Sequence, residues 1–208
     1  YQMTGNKKYA KIAREIFTYV LRDMTDKDGG FYSAEDADSE GEEGIFYIWT
    51  EDELIEILGA EDGKKLAKIF GFIQGGNFQE EASRHTTGNN IPYFPTNPET
   101  LSKNSGMKLN EFNSFVEKSR QQLFDVREKR VHPLKDDKIL TDWNGLMIAA
   151  LSLGGQVLND DTYIQAAKKA SDFVLESLRD KDGKLLKRSR LGKAGLQPHL
   201  DDYSFMVF

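Results

Sequence analysis

Asp142 and Asp202 are the carboxylates whose surroundings in the sequence best suit acid–base or nucleophilic chemistry. Each opens a helical pattern in the same way: Asp142-Trp143-Asn144-Gly145-Leu146-Met147 and Asp202-Tyr203-Ser204-Phe205-Met206-Val207 both run acid, aromatic, small polar, then apolar. Two carboxylates flanking one bond are what glycoside hydrolysis requires, one as acid and the other as base or nucleophile. Acids in a first helical turn also have a simpler use, capping free N–H groups. There the helix dipole lowers their pKa, which suits a base or nucleophile and disfavours a general acid. Glu35 and Asp36 are alternative acids, and His199, close to Asp201 and Asp202, is a candidate acid/base that a neighbouring carboxylate would tune. Around these stand candidate substrate-binding groups. Trp143 and Tyr203 offer flat faces for sugar rings, and Asn144 offers an amide for a hydroxyl. Arg130 and Lys138, in a basic group with Arg127 and Lys135, suit an acidic sugar or a phosphate. The structural alternative stands beside each: large aromatics fill cores, and basic residues after a helix offset its dipole.

The stretch from Glu35 to Glu43 packs six carboxylates into nine residues. Asp36-x-Asp38-x-Glu40-Gly41 copies the start of a calcium loop, but the twelfth position is Tyr47 where a bidentate Glu is needed. A solvated acidic hairpin tip that shapes a substrate funnel is the better reading, with no metal and no cofactor expected. The chain has no cysteine, which excludes disulfides, thiolate metal sites and cysteine nucleophiles and fits a cytoplasmic protein. A net charge of −6 argues against nucleic-acid binding, which needs basic surface. No apolar run approaches the ~20 residues that span a bilayer. A Gly-rich phosphate cradle, a Ser/His/Asp arrangement and an HExxH motif are all missing from the sequence.

The elements that must position these residues are helices, and one helix is written twice. Residues 9–32 and 163–186 align without a gap, with eight identities in 24 pairs, including the whole of Asp26-Lys27-Asp28-Gly29 against Asp180-Lys181-Asp182-Gly183. Each copy predicts an amphipathic helix, a polar turn and an apolar pair entering an extended stretch. The first helix is expected over 6–24, with Tyr9, Ile12, Ala13, Ile16, Val20 and Met24 on one face. Short strands are expected at 31–33 and 44–49, joined by the acidic loop. A capping box at Thr50-Glu51-Asp52-Glu53 starts a helix to 58, and another follows over 61–70. Residues 71–106 form an irregular excursion. Helices resume over 109–129, over 142–158 with Thr141 or Asp142 as cap, and over 161–178, with a short strand near 185–190. The helix at 142–158 is apolar all round, which predicts burial on every side. Alternating buried and half-buried helices describe an inner and an outer ring: an all-α fold, an α/α toroid with short β-hairpins at one rim.

Residues 30–41, together with Phe46-Tyr47-Ile48-Trp49-Thr50, Gly76-Asn77-Phe78 and the run from Asp137 to Leu146, resemble the thioredoxin-domain-containing family that includes spermatogenesis-associated protein 20. The resemblance implies a thioredoxin-like domain followed by a six-hairpin (α/α) toroid, similar to N-acylglucosamine 2-epimerases and six-hairpin glycosidases. On that reading, 1–208 is an incomplete part of a single toroid domain, without the thioredoxin-like domain and the last hairpins. An isolated piece of this kind should expose apolar inner helices and dimerise through them. Two departures stand out. Residues 79–89 make a longer link than the family's usual one. The paired inner-wall histidines of the sugar epimerases also have no counterpart, since His85, His132 and His199 all lie outside helix bodies. The function expected is a carbohydrate-active cavity, hydrolase or isomerase-like, with a sugar or sugar phosphate as ligand. The competing expectation is a non-catalytic toroid that binds a ligand or partner and works with the thioredoxin-like domain.

Overall fold

The computed structural model describes residues 1–79 and 87–207. His85 and most of the long link at 79–89 lie outside the described residues. The helices are α1 (Lys7–Asp23), α2 (Glu51–Leu58), α3 (Ala60–Ile69), α4 (Pro98–Asn104), α5 (Leu109–Arg127), α6 (Thr141–Leu158), α7 (Asp161–Ser177) and α8 (Leu200–Val207). The strands are β1 (Ala34–Glu35), β2 (Asp38–Ser39), β3 (Glu42–Glu43), β4 (Lys135–Asp136), β5 (Ile139–Leu140), β6 (Arg188–Arg190) and β7 (Lys193–Gly195). The protein is mostly helical, and its strands form short antiparallel sheets: β1–β4, β2–β3 and β5–β6–β7. The chain divides into two compact units, Tyr1–Glu35 with Lys135–Phe208, and Asp36–Leu134.

In the first unit α6 is the central helix, packed against α7, α8 and α1. Phe17, Val20 and Met24 of the α1 region meet Leu151 of α6 and Tyr163, Ala167 and Ala170 of α7 in one apolar cluster. A second cluster joins Ile139, Val174, Leu178 and Leu185. Close approach explains glycines inside α6, where glycine costs about 1 kcal/mol against alanine. A Cβ on Gly154 would stand 2.4 Å from the Phe17 ring, and one on Gly145 2.4 Å from the Phe205 carbonyl oxygen. The two copies of the Asp-Lys-Asp-Gly turn fold alike. Asp26 and Asp180 each accept from the N–H two residues on, at 2.8 and 2.9 Å, and the bridges Thr25–Phe31 and Arg179–Leu185 close the two loops.

Several expectations are corrected here. The buried face of α1 is Phe17, Val20 and the capping Met24, while Tyr9, Ile12 and Ile16 are exposed. The helix expected to be buried all round, α6, exposes Trp143, Leu146 and Leu153. It starts one residue early, with Leu140 at the N-cap and no side-chain cap, because β5 runs directly into it. Residues 31–33 contribute only the Phe31 bridge, and β1 lies just beyond them.

The second unit packs α2, α3 and α5 around Trp49, Leu54, Leu66 and Phe112, with α4 beside α5. The Thr50–Glu53 capping box forms as expected. Residues 44–49 make turns rather than a strand, ending in the Trp49–Asn90 bridge. The acidic stretch contains its own hairpin, β2–β3, turning at Glu40-Gly41, with Asp38 directly opposite Glu43. The excursion at 71–106 contains α4, whose signal was Asn97 as N-cap with Pro98 at the first helical position.

Candidate functional site

The register of β5 on β6 places Leu140 opposite Arg188, so the residue before Arg188 comes level with the start of α6. That residue is Lys187. Its carbonyl accepts from the Thr141 N–H at 3.1 Å, and the Thr141 hydroxyl donates to the Leu186 carbonyl at 2.5 Å. The Lys187 ammonium is thereby aimed at both acids singled out in the sequence. It lies 2.6 Å from Asp142 Oδ2 and 3.3 Å from Asp202 Oδ1.

The remaining carboxylate oxygens are met by backbone. Asp142 Oδ1 accepts from the Trp143 N–H at 2.9 Å, and Asp202 Oδ2 from the His199 N–H at 2.7 Å. Asp202 Oδ1 also accepts from the Asp142 N–H at 3.2 Å, a bond between the starts of α8 and α6. The bare Gly145 lets the two helices come close enough for it. Asp202 is wholly buried and Asp142 nearly so, at 6% exposed. Burial alone would lower the Lys187 pKa, but the bonds and charges of Asp142 and Asp202 outweigh it and hold the ammonium above the ordinary lysine value. The arrangement is a buried Asp–Lys–Asp cluster with all four carboxylate oxygens hydrogen-bonded. Its centre, Lys187, carried no motif and sits 45 residues from Asp142. Its position after Leu185 and Leu186 in the second repeat was the only signal in the sequence.

The comparisons with known proteins can be set against this geometry. No family model matches the chain. Over its whole length the chain is 30% identical to spermatogenesis-associated protein 20 of Homo sapiens and 28% identical to that of Rattus norvegicus. An uncharacterized protein of Caenorhabditis elegans is 27% identical over 94% of the chain. The chain is homologous to spermatogenesis-associated protein 20. It spans about 30% of the length of the curated relatives it matches. None of their names states a reaction, a ligand or a partner.

The other candidate residues are distributed as follows. Trp143 and Tyr203, each directly after its buried Asp, are 53% and 41% exposed. Asn144 is buried and committed to backbone: its Oδ1 accepts from the Phe31 N–H, and its Nδ2 donates to the Phe31 and Leu140 carbonyls. It joins Phe31, at the end of the first repeat, to α6. His199 contributes its backbone N–H to the cluster, and its ring is exposed. Glu35 accepts from the Tyr19 hydroxyl at 2.9 Å and pairs with Lys135 at 3.6 Å. Lys138 pairs with Asp136 at 2.9 Å and depresses that carboxyl below its usual range.

Asp36 and Arg130 belong to the second unit. Asp36 is exposed and accepts from the Asp38 N–H. Arg130 donates to the carbonyls of Ile45, Phe46 and Ile48 and to Glu53, while its guanidinium stacks 3.9 Å from the centre of the Trp49 ring. It braces the turns that precede α2. Among the described residues no group of three His, Cys, Asp or Glu side chains converges as a metal site. No helix among them is long and apolar enough to cross a membrane.

Proposed function

We propose that the starts of α6 and α8 form a non-catalytic carbohydrate-binding wall within an α/α toroid of the six-hairpin type. One observation carries the reading: two neighbouring helices open with Asp-aromatic, and in both the acid is buried while the ring is exposed, Trp143 at 53% and Tyr203 at 41%. Exposed, rigidly based aromatics give sugar rings a face to stack on. The helical content, the short hairpins and the homology to spermatogenesis-associated protein 20 support the toroid part.

Binding is favoured over hydrolysis by the state of the acids. A glycosidase needs one carboxyl to give up a proton and the other to face the sugar or a water. Here both carboxylates share one ammonium, and each oxygen already accepts a hydrogen bond. The reading includes a cytoplasmic location, which the cysteine-free composition favours.

The test is a screen of mono- and disaccharides and their phosphates by tryptophan fluorescence, repeated with Trp143→Ala and Tyr203→Ala. Binding that both variants weaken supports the wall. A sugar that binds equally well to Trp143→Ala removes the wall from the site. Turnover abolished by Asp202→Asn, with folding intact, replaces binding by catalysis.

A further inference from the structure

The β6–β7 hairpin places large apolar residues where the backbone disfavours them. Its two-residue turn is Leu191-Gly192, with φ of 50° at Leu191 and 71° at Gly192. Turns with positive φ at both central residues favour Asn-Gly, because a side chain with a Cβ is strained there and Asn tolerates it best. Leu196, just past β7, is likewise left-handed at φ 66°. Burial would ordinarily offset such strain, yet Leu191 is 82% exposed and Leu196 60%. Strain that the fold itself does not compensate, at an exposed apolar side chain, points to a contact made with something else.

The surroundings say what kind of contact. The two leucines border a cavity of about 430 Å³, lined also by Arg188, Lys193, Ala194 and Gly195. Arg190 is held by Asp137 at 2.6 Å, whereas Arg188 and Lys193 make no ion pair among the described residues. β7 is the last strand of the order β5–β6–β7, and among the described residues it pairs with β6 alone. An edge strand is a template for one more strand, and the small Ala194 and Gly195 leave room beside it.

We propose that this hairpin is a docking element for an extended acidic peptide segment of a partner protein. The segment adds to the β7 edge, places acidic side chains on Arg188 and Lys193, and inserts an apolar side chain between Leu191 and Leu196. This surface shares no residue with Trp143 and Tyr203 of the proposed carbohydrate wall, and the proposal does not depend on that reading.

The probe is a fluorescent peptide of about seven residues, alternating Glu and Val, titrated onto the purified full chain by anisotropy. Saturable binding that weakens as salt rises is expected. A peptide of alternating Lys and Val should not bind, and Arg188→Glu with Lys193→Glu should abolish binding of the acidic one. Leu191→Asn is the decisive variant. It places the favoured residue in the turn, so the urea midpoint should rise by roughly 0.3–0.5 M while peptide affinity falls at least about fivefold. Unchanged affinity in Leu191→Asn, or a lowered midpoint in that variant, overturns the proposal. So does equal binding of the Lys/Val peptide, or binding to anionic phosphatidylserine vesicles without binding to the peptide.

Discussion

Replacing Lys187 by Met removes the ammonium and keeps most of the side-chain volume. Asp142 and Asp202 then remain 6% and 0% exposed with no counter-charge. Breaking a buried ion pair by deleting one partner costs about 3–5 kcal/mol. The Lys187 side chain is itself 19% exposed, so water reaches one side of the cluster and the lower end applies, about 3 kcal/mol. With a urea slope of about 2 kcal/mol/M, the midpoint of helix loss by circular dichroism should fall by roughly 1.5 M at pH 7. The loss should also depend on pH in a stated way. In the parent, the raised Lys187 pKa means that its contribution is complete below the ordinary lysine value, about 10.4, and disappears as pH climbs through the folded value. The variant has no ammonium there to lose, so the difference between the two proteins should hold through neutrality and shrink as pH climbs through the folded Lys187 value. Adding Asp142→Asn to Lys187→Met should restore part of what was lost, because the amide needs no counter-charge and its oxygen still accepts from the Trp143 N–H. A penalty under about 1 kcal/mol, or one that does not shrink as pH climbs through the folded Lys187 value, would show that the cluster does not hold α6 and α8 together.

Three further outcomes follow from individual side-chain hydrogen bonds. Arg130→Lys should cost about 2–4 kcal/mol and red-shift Trp49 emission, since a lysine cannot reach three carbonyls and Glu53 while lying flat on the indole. Asn144→Asp should lower stability by about 3 kcal/mol in urea titrations at pH 7, because a carboxylate cannot donate to the Phe31 and Leu140 carbonyls. Burial, then the bond to Asp26, push the Tyr32 hydroxyl up to about 12, so the folded form keeps its proton after the unfolded form has lost it. Stability should accordingly decline by about 1 kcal/mol more between pH 10 and 11 in the parent than in Tyr32→Phe.

Much of the scaffold could be read from spacing. Six of the eight helices among the described residues fall within a few residues of their expected bounds, and α8 begins close to the helical pattern read from Asp202, because amphipathic period and caps such as Thr50–Glu53 are local signals. What escaped the sequence was set by contacts distant in the chain. Which face of α1 is buried depends on Gly154 admitting the Phe17 ring, and nothing in the period of α1 distinguishes that face from the one carrying Tyr9, Ile12 and Ile16. The two acids were found because they repeat a pattern, but their partner was not. Lys187 is one of many lysines until the β5–β6 register brings it level with Thr141. Arg130 and Asn144 were read as ligand-binding from residue type alone. Their bonds to the carbonyls of Ile45, Phe46, Ile48 and Phe31, 82 to 113 residues away, have no local signature.

Charge balance decides how the cluster should be understood. Two carboxylates against one ammonium leave a buried excess of one negative charge, and an excess of that kind usually implies further positive charge nearby. Three backbone N–H groups, of Asp142, Trp143 and His199, point at the carboxylates from the starts of α6 and α8. Each helix start carries roughly half a positive charge. One ammonium and two helix ends therefore match two carboxylates with no ligand required. A site whose charge is already balanced and whose acceptors are all occupied has little left to offer a reaction. The same arrangement fixes the first turns of two helices against each other, and the residue after each acid is an exposed aromatic. The buried acids account for the rigidity of that surface, and the rings of Trp143 and Tyr203 are the groups left free to meet a ligand.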